Sequence, residues 1–170
     1  MGLTERLSQL DLSLAPTSAT FGAYVPAKRV GELIFVAGQI PVRDGNLIAS
    51  GRVPSKCSVD LARAAARQCV MNALATVQRL PGGIDQLTGV ARVGVFVNSD
   101  VDFVAQPKVA DAASELLLQM FGQAGEHVRT AVGVNVLPRD AAVEVDVLFE
   151  AAPPATTPSN GGRRRARNVR

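Results

Sequence analysis

HVRTAVGVNVLPRDAAVEVDVLFE, residues His127–Glu150, is the stretch on which the fold turns. Val132, Val134 and Val136 alternate with Ala131, Gly133 and Asn135. After Leu137-Pro138-Arg139-Asp140 the alternation resumes at Val143, Val145, Val147 and Phe149. A period of two puts successive side chains on opposite faces, so each run predicts a strand with one apolar, buried face. Pro138 lacks a backbone donor and fixes φ, which divides the stretch into two strands joined by a tight turn. The other face carries Arg129 on the first strand and Glu144 and Asp146 on the second. Any chemistry is expected among those polar groups.

Toward the N-terminus, Val109, Ala112, Ala113, Leu116, Leu117 and Met120 give the apolar face of a helix that starts at Gln106-Pro107 and stops at Gly122 and Gly125. Leu87 to Val97 predicts a strand with Val93, Val95 and Val97 on one face. Ser58 caps a long helix with Asp60 in its first turn. Its stripe is Leu61, Ala65, Cys69, Ala73 and Val77, with Ala62, Ala66 and Val70 alongside, and Pro81-Gly82-Gly83 stops it. Arg43-Asp44-Gly45-Asn46 is an Asp-Gly turn leading to a weak strand near Leu47 to Ala49. Leu33 to Ala37, LIFVA, predicts a strand buried on both faces, and Ala23 to Val30 an irregular one before it. Leu3, Leu7, Leu10 and Leu14 predict a short N-terminal helix over residues 4–11, capped by Thr4. The order β-β-β-α-β-α-β-β is that of an α+β domain, a sheet with two helices on one face. The other face is expected to be covered by self-association.

The chain has 170 residues, 47% of them apolar, enough for a single globular domain over residues 1–151, of which 1–19 are the N-terminal helix and lead-in. Residues 152–170 hold Pro153, Pro154 and Pro158 and then Arg163, Arg164, Arg165, Arg167 and Arg170, the composition of a disordered tail. Removing those five arginines from 18 basic residues leaves 13 against 15 acidic ones, so residues 1–162 carry about −2. The body is therefore no nucleic-acid footprint, and 4% aromatics argue against base stacking; weak contact through the tail is the exception. Cys57, Cys69 and the single His127 cannot make a common four-ligand zinc site, and both thiols are read as reduced. No metal or cofactor motif is visible. No signal peptide or membrane span is expected, which reads as a soluble cytoplasmic protein.

Arg129 offers a planar two-donor fork for a carboxylate, and Glu144 a base that can orient or deprotonate water. The chain resembles the RidA/YjgF family of reactive-intermediate deaminases, also known as L-PSP endoribonucleases. The resemblance rests on Gly22 to Ala27 (GAYVPA), Leu33 to Pro41 (LIFVAGQIP), Val128 to Val132 (VRTAV), Leu137-Pro138 and Val143-Glu144-Val145, and covers about residues 20–150. It implies a chorismate-mutase-like fold and a homotrimer with sites between subunits. It implies hydrolysis of enamines and imines derived from amino acids to 2-keto acids and ammonia, without a cofactor. In that reading Arg129 holds the substrate carboxylate and Glu144 positions the water. Tyr24 and the backbone at Ala37 and Gly38 line the pocket, with Thr130 beside the arginine. The sequence departs from the family pattern at Val25-Pro26, at Ala37 where serine is common, at Ala131 where cysteine often stands, and near Pro107.

If residues 127–150 form a hairpin turning at Pro138 to Ala141, Glu144 lies opposite about Asn135, and Arg129 sits ~20 Å away. One small substrate could then meet both only where neighbouring subunits each supply one. A non-catalytic trimer binding a small carboxylate or a protein partner would keep Arg129 and not need Glu144. A ribonuclease is the weakest reading, because acid–base cleavage wants a histidine pair and the body is not basic.

Overall fold

The computed structural model describes residues 2–15 and 22–154. The elements are α1 (Leu3–Gln9), β1 (Ala27–Val30), β2 (Leu33–Gln39), β3 (Val42–Arg43), β4 (Asn46–Leu47), α2 (Val59–Gln78), β5 (Leu87–Asn98), α3 (Gln106–Phe121), β6 (Val128–Val134) and β7 (Val143–Ala151). Five strands form one mixed sheet in the order β1-β2-β7-β5-β6, and β3 and β4 form a separate ribbon. This is the α+β architecture expected, with α2 and α3 packed on one face. Among the described residues no helix is long and apolar enough to cross a membrane. The expectation of a disordered tail falls almost wholly outside the described residues.

The two strands of 127–150 exist, but they are not a hairpin. β5 lies between them, parallel to β6 (Val93 beside Arg129, Phe96 beside Val132) and antiparallel to β7 (Val93 beside Val147, Phe96 beside Glu144). A two-residue turn joins neighbours ~4.8 Å apart, whereas residues 135–142 must span two strand spacings, ~10 Å. They do so over the end of β5: Ser99 N–H donates to the Val134 carbonyl (3.1 Å) and Asn98 N–H to that of Ala142 (2.9 Å). The parallel β5–β6 pair is the one that needs a crossover, and α3 supplies it.

The two long helices begin where the sequence says. Ser58 Oγ accepts from Leu61 N–H at 3.2 Å, Pro107 sits in the first turn of α3, and Gly122 ends α3 at φ 60°. The face of α2 toward the sheet is Ala62, Ala65, Ala66, Cys69, Val70, Ala73, Leu74 and Val77; small residues let it lie close against β7 and β2. Leu61, placed in that stripe by spacing, is instead 42% exposed in the first turn. From the sheet, Ile34, Val36, Val93, Val95, Val97, Val143, Val145, Val147 and Phe149 complete the core.

Three further expectations are corrected. β2 is buried on one face only: Ile34 and Val36 face the helices and Phe35 is 48% exposed on the other side. Its apolar run reflects a second, open apolar face rather than a second layer. β1 is shorter than expected, because residues 22–26 are bends that carry no ladder. Thr4 does not cap α1, whose N-cap is Gly2; its N–H and hydroxyl donate to Asp85 (2.9 and 2.8 Å), so the cap comes from a distant carboxylate. Those bonds hold the Asp85 carboxyl below the usual carboxylate range.

The β3–β4 ribbon turns at Asp44 and Gly45, both at positive φ. A polar chain ties it to α2. Arg43 donates twice to Gln68 Oε1 (2.9 and 2.8 Å), Gln68 donates to Asn72 Oδ1 (2.9 Å), and Asn72 donates to the Ile40 and Val42 carbonyls (3.0 Å each).

Candidate functional site

The face of the sheet away from the helices carries Glu144 and Asp146 on β7, Arg92, Gly94 and Phe96 on β5, and Phe35 and Ala37 on β2. Arg92 and Asp146 form an ion pair at 2.9 Å. A Cβ on Gly94 would stand 2.5 Å from Asp146 Oδ1, so the carboxylate lies directly over bare backbone. Glu144 leans the other way, toward β2. A Cβ on Gly38 would stand 1.8 Å from Glu144 Oε1. The β2–β7 register slips between Val36 and Gln39, which brings that stretch of backbone under the carboxylate. Burial, and secondarily the charge of Asp146, push the Glu144 carboxyl above its ordinary range. Beside it is a concavity of about 280 Å³ lined by Phe35, Ala37, Gly38, Arg92, Asp146 and Leu148. The Ala37 N–H donates to the Pro26 carbonyl at 2.9 Å, so the bend that carries Tyr24 runs alongside.

Arg129 lies elsewhere. Its strand, β6, is an edge of the sheet, and its side chain turns to the helix side, as its partner Val93 does. There Nη1 donates to Asp111 Oδ1 and to Ser114 Oγ of α3, each at 3.0 Å. Ser114 Oγ also lies 3.0 Å from His127 Nε2, and His127 Nδ1 lies 2.6 Å from the Gly125 carbonyl. An open concavity of about 500 Å³ is lined by Ser114, Leu118, Glu126, His127 and Arg129.

A family model described as "YjgF/chorismate_mutase-like, putative endoribonuclease" matches residues 4–151. The chain belongs to the YjgF family. Protein TCP17 of Trypanosoma cruzi is 38% identical over 145 residues, 85% of this chain and 91% of that protein. The RutC family protein PM1466 of Pasteurella multocida is 30% identical over 130 residues, 76% of this chain and 88% of that protein. Among solved structures, Atu1372 of Agrobacterium tumefaciens, a protein of unknown function, is similar at TM-score 0.80 and 34% identity, over 88% of this chain and 92% of that one.

For a YjgF-family chain the placement of the six residues singled out from sequence is informative. Glu144, Gly38 and Ala37 gather on the open face, whereas Tyr24, on the bend that runs beside Ala37, is not among the residues that line the concavity there. Thr130 is also on that face, opposite Gly94, so it points away from its neighbour Arg129 rather than standing beside it. Arg129 and Glu144 do not meet within one chain. β5 separates them, they are offset by three residues along it, and they project from opposite faces. Two strand spacings and three residues give ~14 Å between their backbones, which replaces the ~20 Å expected from a hairpin. Sequence reasoning missed Arg92, Asp111 and Ser114. Asp111 and Ser114 sit on α3 on the side next to its core stripe, and helical spacing alone does not tell which strand such residues overlook.

Proposed function

We propose that this YjgF-family chain hydrolyses imines derived from 2-amino acids to 2-keto acids and ammonia, at sites assembled between copies of the chain. The observation that carries the reading is Glu144 packed over the bare Cα of Gly38 with its carboxyl pushed up. A carboxylate whose pKa is drawn toward the working pH is a better general base than an ordinary one. It takes a proton from water as the oxygen bonds to the imine carbon. Protons shift to nitrogen, the C–N bond breaks, and ammonia leaves a 2-keto acid. An enamine such as 2-aminoacrylate enters after tautomerising to the imine. Arg129 holds the substrate carboxylate through two parallel charge-assisted bonds. Because Arg129 stands on an edge strand and faces away from Glu144, a second copy must bring the fork to the base. A homotrimer that covers the open sheet faces and brings the β6 edge of one copy to the Glu144 of the next is the assembly we infer, with the cytoplasm as the expected compartment.

The ribonuclease suggested by the family description has less support. His127 is the chain's one histidine, and both its ring nitrogens already have partners.

The test is a coupled assay in which an amino-acid oxidase generates imines from a panel of amino acids and their loss is followed. Accelerated hydrolysis that Glu144→Gln abolishes is expected. No acceleration across the panel, with pyruvate still bound, would replace the hydrolase by a carboxylate-binding module.

A further inference from the structure

The hydrogen bonds behind Arg129 have a fixed direction. A carbonyl oxygen only accepts, so His127 Nδ1, 2.6 Å from the Gly125 carbonyl, carries the ring proton. In the neutral ring Nε2 is then bare, and the Ser114 hydroxyl must donate to it at 3.0 Å. With its only proton spent, Ser114 Oγ faces Arg129 as an acceptor, and Nη1 donates to it at 3.0 Å. Asp111 Oδ1 takes the second Nη1 proton, also at 3.0 Å. Gly125 belongs to the device: a Cβ there would stand 2.7 Å from the Leu117 carbonyl oxygen, so only a glycine lets this turn press against α3 and present its carbonyl to the ring.

The consequence concerns the rest of the guanidinium. Both Nη1 protons are held on the α3 side. Among the described residues Nε and Nη2 make no hydrogen bond, and these two form the edge that matches a carboxylate with two parallel donors. We infer that Ser114 and His127 are positioning residues, which set the orientation of Arg129 so that its Nε/Nη2 edge faces the ligand. The inference rests on the assignment of Arg129 as carboxylate anchor made above. Both residues line the same concavity as Arg129, and the role inferred for them is exerted through the arginine rather than by a bond to the ligand.

The experiment measures pyruvate affinity by calorimetry on the full chain, with thermal melts alongside. Ser114→Ala and His127→Leu are each expected to weaken pyruvate about 3–10-fold, the loss of one orienting hydrogen bond. Ser114→Thr keeps the hydroxyl, and His127→Gln keeps an acceptor for it; both should bind within about twofold of the parent. In an Arg129→Lys background Ser114→Ala should change affinity no further, because the geometry it serves is already gone. Ser114→Ala and His127→Leu binding like the parent would overturn the inference. So would effects that add in full to Arg129→Lys, which would mean direct contact or general destabilisation. If Arg129→Lys itself binds pyruvate normally, the anchor assignment fails and this inference with it, an outcome distinct from the other two. Should Ser114→Ala fold poorly, His127→Gln against His127→Leu carries the same comparison.

Discussion

Glu144 is where one side chain says most. Its carboxyl is raised by burial first and by Asp146 second. For a carboxyl raised in the folded state, the stabilising contribution is complete below the unfolded pKa and is lost as pH rises through the folded one. Glu144→Gln is uncharged throughout. It should therefore melt above the parent at pH 8, and the difference should close toward about pH 4, near the ordinary glutamate value. Equal melting temperatures at pH 8 would show that the charge is not strained. Gly38→Ala makes a complementary prediction. The added methyl meets the mobile end of Glu144 rather than backbone, so the fold should survive with a nearly unchanged melting temperature. The carboxylate must swing away, and imine hydrolysis should fall at least tenfold; full activity would remove Glu144 from the site. Glu144 and Arg129 were legible in the sequence because a charge within an alternating strand stands out. Ser114, His127 and Arg92 were not, since each acquires meaning from a partner on another element.

At the scale of elements, periodicity located the strands but assigned the wrong face of β6: Val132 and Val136 are 40% and 62% exposed on the open side, whereas Arg129 and Ala131 turn toward α3 and the core. Val143, Val145, Val147 and Phe149 all face the core, and Ser58 and Pro107 mark helix starts as expected. Pairing was not legible, because alternation reports a buried face and is silent on which strand lies alongside. The LIFVA run misled for a related reason: an apolar residue on an open sheet face and one facing a helix look alike in sequence. The ribbon β3–β4 yields a stability prediction. From α2, Asn72 donates to the carbonyls of Ile40 and Val42, the first of which also accepts from the Val42 N–H. Asn72→Ala removes both bonds and the acceptor for Gln68, and water reaches the half-buried site only in part. A loss of about 1–2 kcal/mol in urea denaturation is expected. A change under ~0.5 kcal/mol would place this chain among dispensable surface contacts.

For the whole molecule, the open sheet face is the dominant fact. Phe35 is 48% and Val132 40% exposed, with Leu33, Phe96 and Leu148 half-buried on the same side. Such a patch in a lone chain marks an interaction surface. Light scattering at micromolar concentration should give three times the 17.8 kDa chain mass. Phe35→Asp should shift the distribution to smaller species and take hydrolysis with it. A parent protein at the single-chain mass that still turns over imines would mean that one chain holds a complete site, which Arg129 and Glu144 on opposite faces do not provide.

The slot between β6 and β7 also bears on how the chain reaches its fold. Residues 127–150 have the alternation of a hairpin that could zip shut in ~1–10 μs. In the finished sheet β7 must instead find β5, pairing Val97 with Val143 and Leu87 with Ala151 across long stretches of chain. Non-local pairing is slow, so after dilution from denaturant the closed hairpin is expected to compete as a trap. Synthesis on the ribosome removes that competition, because β5 and α3 emerge before β6 and β7 exist. The middle strand is already waiting when its two neighbours arrive.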